Sequence, residues 1–397
     1  MLGPYSMAEE GLLFATRRTP TRAQSREWCC CPQQQLMCGP DDIAPPRKAY
    51  STQPCLLPAP TSSDAKAGDL IVERFPVTFE GYEYRHAHIA YLKGRRPAPL
   101  VLVHPNYAGL KQFDIDQAAF LARCGYVGFA VDLYQETAEY AYSDRNPAPG
   151  GVLVSDTGST DPSTGRYPEK QAFLDTKQGR AAVRRHGKGA FDAYMRQLRQ
   201  PKAWRGLMKA HLDVARAHPA VHPTLAGAVG YCFGGQCVLE QVRAGHPLQA
   251  VVSFHGLLHS RPTHAETPYD SLRRLTQAEY EQEVDVPALA YNTRCKVLVE
   301  HGDLDPEVPR ADYDAWRAEM DAAGIDWRFH NHARTPHGFA LAPGVWSTAY
   351  TEAADRRSTL SMLSLFAEVW PDFEQLPVAT NACGTRLGQS IVTLARL

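Results

Sequence analysis

The chain has 397 residues, 44% of them hydrophobic and 21% charged, with a formal net charge of -1 at pH 7. That length fits one large α/β domain with extensions. The balanced charge lacks the basic stripe of a nucleic-acid binder, and no apolar run approaches the roughly 18 residues that span a bilayer. Neither nucleic acid nor a membrane is expected as a partner.

The opening MLGPYSMAEEGLLFATRR has no basic start followed by an apolar core and a cleavage site, so it does not read as a secretory signal. Thr16–Arg26 is rich in Arg, Thr and Ser, as transit peptides are, whereas Glu9 and Glu10 oppose that reading. A cytoplasmic protein is expected, with organelle targeting by the leader left open. Five of the ten cysteines (Cys29, Cys30, Cys31, Cys38 and Cys55) lie among Pro, Gln and Ser, without zinc-site spacing. Residues 1–68 are read as an unstructured leader, and no metal or cofactor is expected.

Structure is expected to begin with Leu70–Phe79 and Tyr82–Leu92, two strand-like runs broken at Glu80–Gly81 as in a hairpin. Pro99–Val103 is continuously apolar, the mark of a strand buried on both faces. A helix over Phe113–Cys124 ends at Gly125, and Val127–Val131 is the next strand. A segment over 137–190, rich in Gly, Pro, Asp and Ser, interrupts the rhythm and reads as an insertion. Then follow a helix over Ala203–Ala217, strand Leu225–Val229, a helix from Gln236, and strands Ala250–Phe254 and Lys296–Glu300. A helix over Arg310–Ala323, strand Trp327–His330 and a helix over Ala354–Val369 complete the pattern. Strands alternating with helices predict an α/β fold, a mostly parallel sheet with helices on both faces. The tail, 376–397, carries no readable element.

The most informative segment is Gly230-Tyr231-Cys232-Phe233-Gly234-Gly235, between an apolar strand and a helix. That context matches a nucleophile elbow, a sharp turn presenting the reactive side chain above the sheet. Glycines flank it because a Cβ there would strike neighbouring backbone. The Phe233 N–H lies where it can hold an oxyanion, and the helix start favours a thiolate at Cys232. A buried, inert cysteine is the competing reading; Cys237, in the following helix, is expected to be such a core residue.

A thiol nucleophile needs a base, and the base needs an orienting group. On this architecture the acid follows the nucleophile and the histidine comes last. The acid is expected at Asp305 in Gly302-Asp303-Leu304-Asp305-Pro306, with Asp303 as its competitor. The base is expected at His337, in Thr335-Pro336-His337-Gly338-Phe339, ahead of His330 and His332. His104, His255, His259 and His264 follow other strands and are read as loop or pocket-rim residues.

These segments resemble the dienelactone hydrolase family. The likeness rests on GYCFGG, GDLDPEVP and PHGF, supported by His104–Tyr134 and Ser253–Leu258, and runs from about Leu70 to Trp370. It implies an α/β-hydrolase domain, here 69–375, and a cysteine hydrolase of small ester or lactone substrates that needs no cofactor. It also implies that the Tyr107 and Phe233 N–H groups form the oxyanion site. Two pocket positions depart from the pattern. Asn106 stands where the family has a glutamate holding the thiol, and Leu341 stands where it has a carboxylate-binding arginine. Neutral substrates are therefore expected unless another arginine, Arg334 or one of the Met195–Arg205 stretch, supplies the cation. A non-catalytic relative that binds a small molecule or a protein is the alternative, and an acyl- or peptide-bond hydrolase is a third reading.

Overall fold

A computed structural model describes residues 68–110, 112–134, 147–148, 152–153, 193–260, 284, 286–341 and 350–376. The expected leader and tail lie almost wholly outside the described residues, as does most of 137–190. The described strands are β1 (Leu70–Arg74), β2 (Val77–Phe79), β3 (Tyr82–Tyr84), β4 (His88–Leu92), β5 (Ala98–His104) and β6 (Val127–Ala130). The two-residue strands β7 (Pro147–Ala148) and β8 (Val152–Leu153) pair only with each other. Then come β9 (Val221–Tyr231), β10 (Ala250–Phe254), β11 (Lys296–Gly302) and β12 (Asp326–His332). The helices are α1 (Gln112–Arg123), α2 (Pro201–Arg216), α3 (Phe233–Arg243), α4 (Arg310–Ala322) and α5 (Glu352–Val369).

Eight strands form one sheet in the order β1-β4-β6-β5-β9-β10-β11-β12. From β6 to β12 every neighbouring pair is parallel, while β1–β4 and β4–β6 are antiparallel. The expected opening hairpin is present in finer form. β2 and β3 make a small ribbon turned at Glu80 and Gly81, whose φ values of 48° and 80° suit a two-residue hairpin turn. β1 and β4 carry the flanking runs into the main sheet.

The apolar run of β5 is explained by its position: every residue from Ala98 to His104 is buried. Side chains alternate along a strand, so they feed two cores. Leu100 and Leu102 join Trp204, Leu207, Met208, Val238, Trp316 and Met320 on the face covered by α2, α3 and α4. Val101 and Val103 join Phe113, Phe120, Leu121, Met362 and Phe366 on the face covered by α1 and α5. β9 and α3 run longer than their sequence patterns suggested, and α3 starts at Phe233 rather than Gln236. Gly234 and Gly235 are poor helix formers, and tertiary packing overrides that preference. Among the described residues no helix is long and apolar enough to cross a membrane.

Candidate active site

The C-terminal ends of β9, β11 and β12 bring the expected site residues together. β9 ends at Tyr231, and Cys232 follows with φ 56° and ψ -116° before α3 begins. A non-glycine residue at positive φ is strained and persists only where packing enforces it. Here the enforcement is visible. A Cβ on Gly230 would strike the Gly234 carbonyl, and one on Gly234 would strike the carbonyls of His104 and Pro105. Cys232 N–H donates to the Phe254 carbonyl at 3.0 Å, while its own carbonyl accepts from Gly235 and Gln236 at 2.8 and 3.2 Å. Phe233 opens the first turn of α3, where N–H groups have no partner within the helix. Among the described cysteines only Cys232 is partly exposed; Cys124, Cys237 and Cys295 are buried. Burial pushes the thiols of those three up, which makes them inert at neutral pH.

Asp305 and His337 meet across adjacent loops. His337 Nδ1 donates to Asp305 Oδ2 at 2.8 Å, and the aspartate side chain is wholly buried. Asp305 Oδ1 also accepts from the Glu307 N–H at 2.8 Å. The two loops are laced by backbone: Asp303 N–H donates to the His332 carbonyl and Leu304 N–H to the Thr335 carbonyl, each at 2.9 Å. Burial of His337 disfavours its imidazolium, but the charges of Asp305 and Cys232, with hydrogen bonds to both, hold its pKa well above the ordinary value. An aspartate, a histidine and a cysteine in series are groups able to attack a carbonyl and shuttle one proton.

The competing residues are engaged elsewhere. Asp303 is exposed and accepts from Asn331 Nδ2 at 3.0 Å. His330 Nδ1 and His332 Nε2 donate to the buried Glu300 at 2.9 and 2.6 Å. Asp305→Asn is expected to cut kcat by about 10³–10⁴-fold, because the wrong tautomer of His337 would then face the thiol. Asp303→Asn should stay within about twofold, as expected for an exposed side chain outside the site. Parallel turnover assays of the two variants check this, and the reverse ranking would move the acid to Asp303.

Asn106 is 2% exposed, and its Oδ1 accepts from the Ala108 N–H at 3.0 Å, forming a turn directly after β5. Tyr107 sits within that turn and is half-buried. Leu341 is buried in the core with Phe339 and Ala340. Among the described residues no group of three His, Cys, Asp or Glu side chains is placed to hold a metal ion.

The model of the dienelactone hydrolase family matches residues 86–370. The chain belongs to the dienelactone hydrolase family. An uncharacterized protein of Caenorhabditis elegans is 30% identical over 164 residues, covering 39% of this chain and 89% of that protein. Among solved structures, one named m3DLH is 26% identical with a TM-score of 0.49, covering 76% of this chain and 98% of its own. A dienelactone hydrolase-like promiscuous phosphotriesterase from metagenomic libraries is 24% identical with a TM-score of 0.48, at the same coverage of 76% and 98%. As a dienelactone hydrolase family member on an α/β-hydrolase fold, the protein is a hydrolase.

Within this family member, three features went unseen in the sequence. His255, expected as a loop or pocket-rim residue, is fully buried at φ 40°, its ring 5.1 Å from His337 and 5.3 Å from Phe339. His104, for which the expectation is the same, is also fully buried. A polar residue after a strand looks alike in sequence whether it reaches solvent or packs inward. Tyr134, 4% exposed, stacks on Phe233 at 6.3 Å, while Tyr194 meets Phe233 edge-on at 4.9 Å. Burial, then Cys237, Tyr194, Cys232 and Tyr107, raise the Tyr134 phenol well above its ordinary pKa, so it stays a neutral group beside the thiol. Its place at the C-terminal end of a parallel strand was the available signal, because ligands bind at that edge of such sheets.

Proposed function

We propose that the protein hydrolyses neutral carboxylic esters or lactones through an acyl-enzyme on Cys232, with His337 as proton shuttle and Asp305 as its orienting group. The observation that carries this reading is the 2.8 Å His337–Asp305 hydrogen bond on a ring that also feels the charge of Cys232. The Cys232 thiolate attacks the carbonyl carbon, forming a C–S bond and moving an electron pair onto oxygen. The N–H groups of Tyr107 and Phe233 hold that oxyanion. Its collapse breaks the C–O bond, and the His337 imidazolium gives its proton to the departing alkoxide. The neutral imidazole then takes a proton from water, which attacks the thioester and releases the acid. The thiolate and imidazolium are thereby restored. No step calls for a metal or an organic cofactor.

The preference for neutral substrates rests on charge. Leu341 offers no cation, and Arg205 of α2 is already committed to Glu240 at 2.8 Å. Arg334 is exposed. A carboxylate carried into this site without a partner loses hydration uncompensated. For a neutral aryl ester and its carboxylated analogue, kcat/KM should favour the neutral one by at least about tenfold, roughly 1.4 kcal/mol. A preference for the carboxylated analogue would overturn the substrate assignment. If thiol alkylation leaves turnover unchanged, the cysteine mechanism fails; if the intact protein turns over none of these esters, a binding role on the same fold becomes the better reading.

A further inference from the structure

β5 ends at His104, and the next residues, Pro105-Asn106-Tyr107, form the turn proposed to carry one oxyanion donor. The His104 backbone lies against the elbow, since a Cβ on Gly234 would collide with its carbonyl. Its side chain reaches further along the same helix, α3. His104 Nε2 lies 2.9 Å from Gln241 Oε1, and Gln241 Nε2 lies 3.3 Å from His246 Nδ1. An amide oxygen only accepts, so His104 carries its proton on Nε2 and donates; the amide NH₂ then donates to His246. His104 and Gln241 are fully buried and His246 is 6% exposed. Burial lowers the pKa of His104 to about 3 and that of His246 to about 4, so both rings are neutral in the physiological range. The far end of the chain is anchored as well: His246 N–H donates to the Gln241 carbonyl at 3.0 Å, and Asn292 Nδ2 donates to the His246 carbonyl at 2.8 Å.

Gln241 lies nine residues after Cys232, about 13 Å along α3 at 1.5 Å per residue. The oxyanion turn is thus fixed to the nucleophile helix at two points, the Gly234 contact beside the thiol and the His104–Gln241 bond deeper in the core. We propose that Gln241 and His104 are positioning residues that set the spacing between the Tyr107 and Phe233 N–H groups. This rests on the acyl-enzyme reading above. An oxyanion needs its donors within about 2.7–3.1 Å, and a misplacement near 1 Å can cost about 100-fold in rate. Neither side chain touches substrate. Their effect is confined to the step in which negative charge develops on the carbonyl oxygen.

The test separates that step from thiol reactivity. Iodoacetamide alkylation of Cys232 needs the thiolate but forms no oxyanion, whereas acylation by p-nitrophenyl acetate needs both. For Gln241→Leu, the acylation rate constant read from the p-nitrophenol burst should fall about 10–100-fold. The half-saturating ester concentration and the alkylation rate should stay within about twofold, as expected when only transition-state stabilisation is lost. Acylation that stays near wild type, or alkylation that falls in step with it, would overturn the proposal. If the leucine variant does not fold, Gln241→Met, closer in volume, carries the same comparison. The wild-type protein gives a second reading: nitrogen NMR should find His104 as the neutral Nε2–H tautomer at pH 6, and the opposite tautomer or an imidazolium would remove the chain. Should alkylated wild-type enzyme still turn over, the cysteine mechanism itself fails, an outcome distinct from either of these.

Discussion

Cys232→Ala is expected to lower kcat/KM for p-nitrophenyl acetate by at least about 10⁴-fold, on the scale seen when a covalent nucleophile is removed. In the proposed mechanism the thiolate supplies the bond that divides one difficult substitution into two easier ones, and alanine offers no substitute. The oxyanion donors and substrate contacts would remain, so a small residual rate is expected rather than none. The fold should persist. Cys232 is partly exposed, and its φ of 56° is imposed by the packing of Gly230 and Gly234, which alanine leaves in place. Turnover and melting temperature, measured on the same preparation, check the two halves of this expectation. Near-wild-type turnover in Cys232→Ala would remove the cysteine from the chemistry.

The largest expected loss of stability lies away from the thiol. Glu240 in α3 has a wholly buried side chain and is held by two arginines: Arg205 of α2 and Arg243 of α3, each at 2.8 Å. Arg243 also pairs with Glu319 of α4 at 2.7 Å, and Arg205 donates to the Pro287 carbonyl at 3.1 Å. Burial alone would raise the Glu240 carboxyl, but Arg243 and Arg205, with a hydrogen bond from Ser260, hold it below the usual carboxylate range. The sign follows. A carboxylate with a lowered folded-state pKa adds stability above its unfolded pKa and loses it as pH falls through the folded one. The network is therefore intact at neutral pH and lost only on strong acidification. Glu240→Ala would strand Arg205, which is 5% exposed, without its carboxylate. Breaking one side of a buried pair costs about 3–5 kcal/mol. At about 2–4 °C per kcal/mol for a large domain, the melting temperature should fall by roughly 10 °C. By contrast, Asp213→Ala at the exposed Lys209–Asp213 pair should change stability by under about 1 kcal/mol. Equal effects from the two substitutions would show that burial does not set the weight of these ion pairs.

What the sequence made legible were features carried by local rules. A continuous apolar run marked β5, glycine spacing marked the elbow at Cys232, and chain order pointed to Asp305 and His337. Each follows from pleat, helix period or turn chemistry acting over a few residues. Asp303 and Asp305 sit in one loop with opposite exposure, a difference the sequence of the loop does not carry. The inward packing of His104 and His255 also depends on what covers the strand ends, which no local pattern encodes. The Arg205–Glu240–Arg243–Glu319 network joins three helices through residues more than a hundred positions apart. Its members look in sequence like ordinary surface charges.

The central claim, that chemistry passes through an acyl group on Cys232, is tested most directly by trapping that intermediate. The enzyme is mixed with p-nitrophenyl acetate, quenched in acid during turnover, digested and mapped by mass spectrometry. The account predicts one acetyl group on the peptide containing Cys232, lost on reaction with hydroxylamine and absent from Cys232→Ala. Sustained turnover with Cys232 unmodified, or with the acetyl group on another residue, would contradict it.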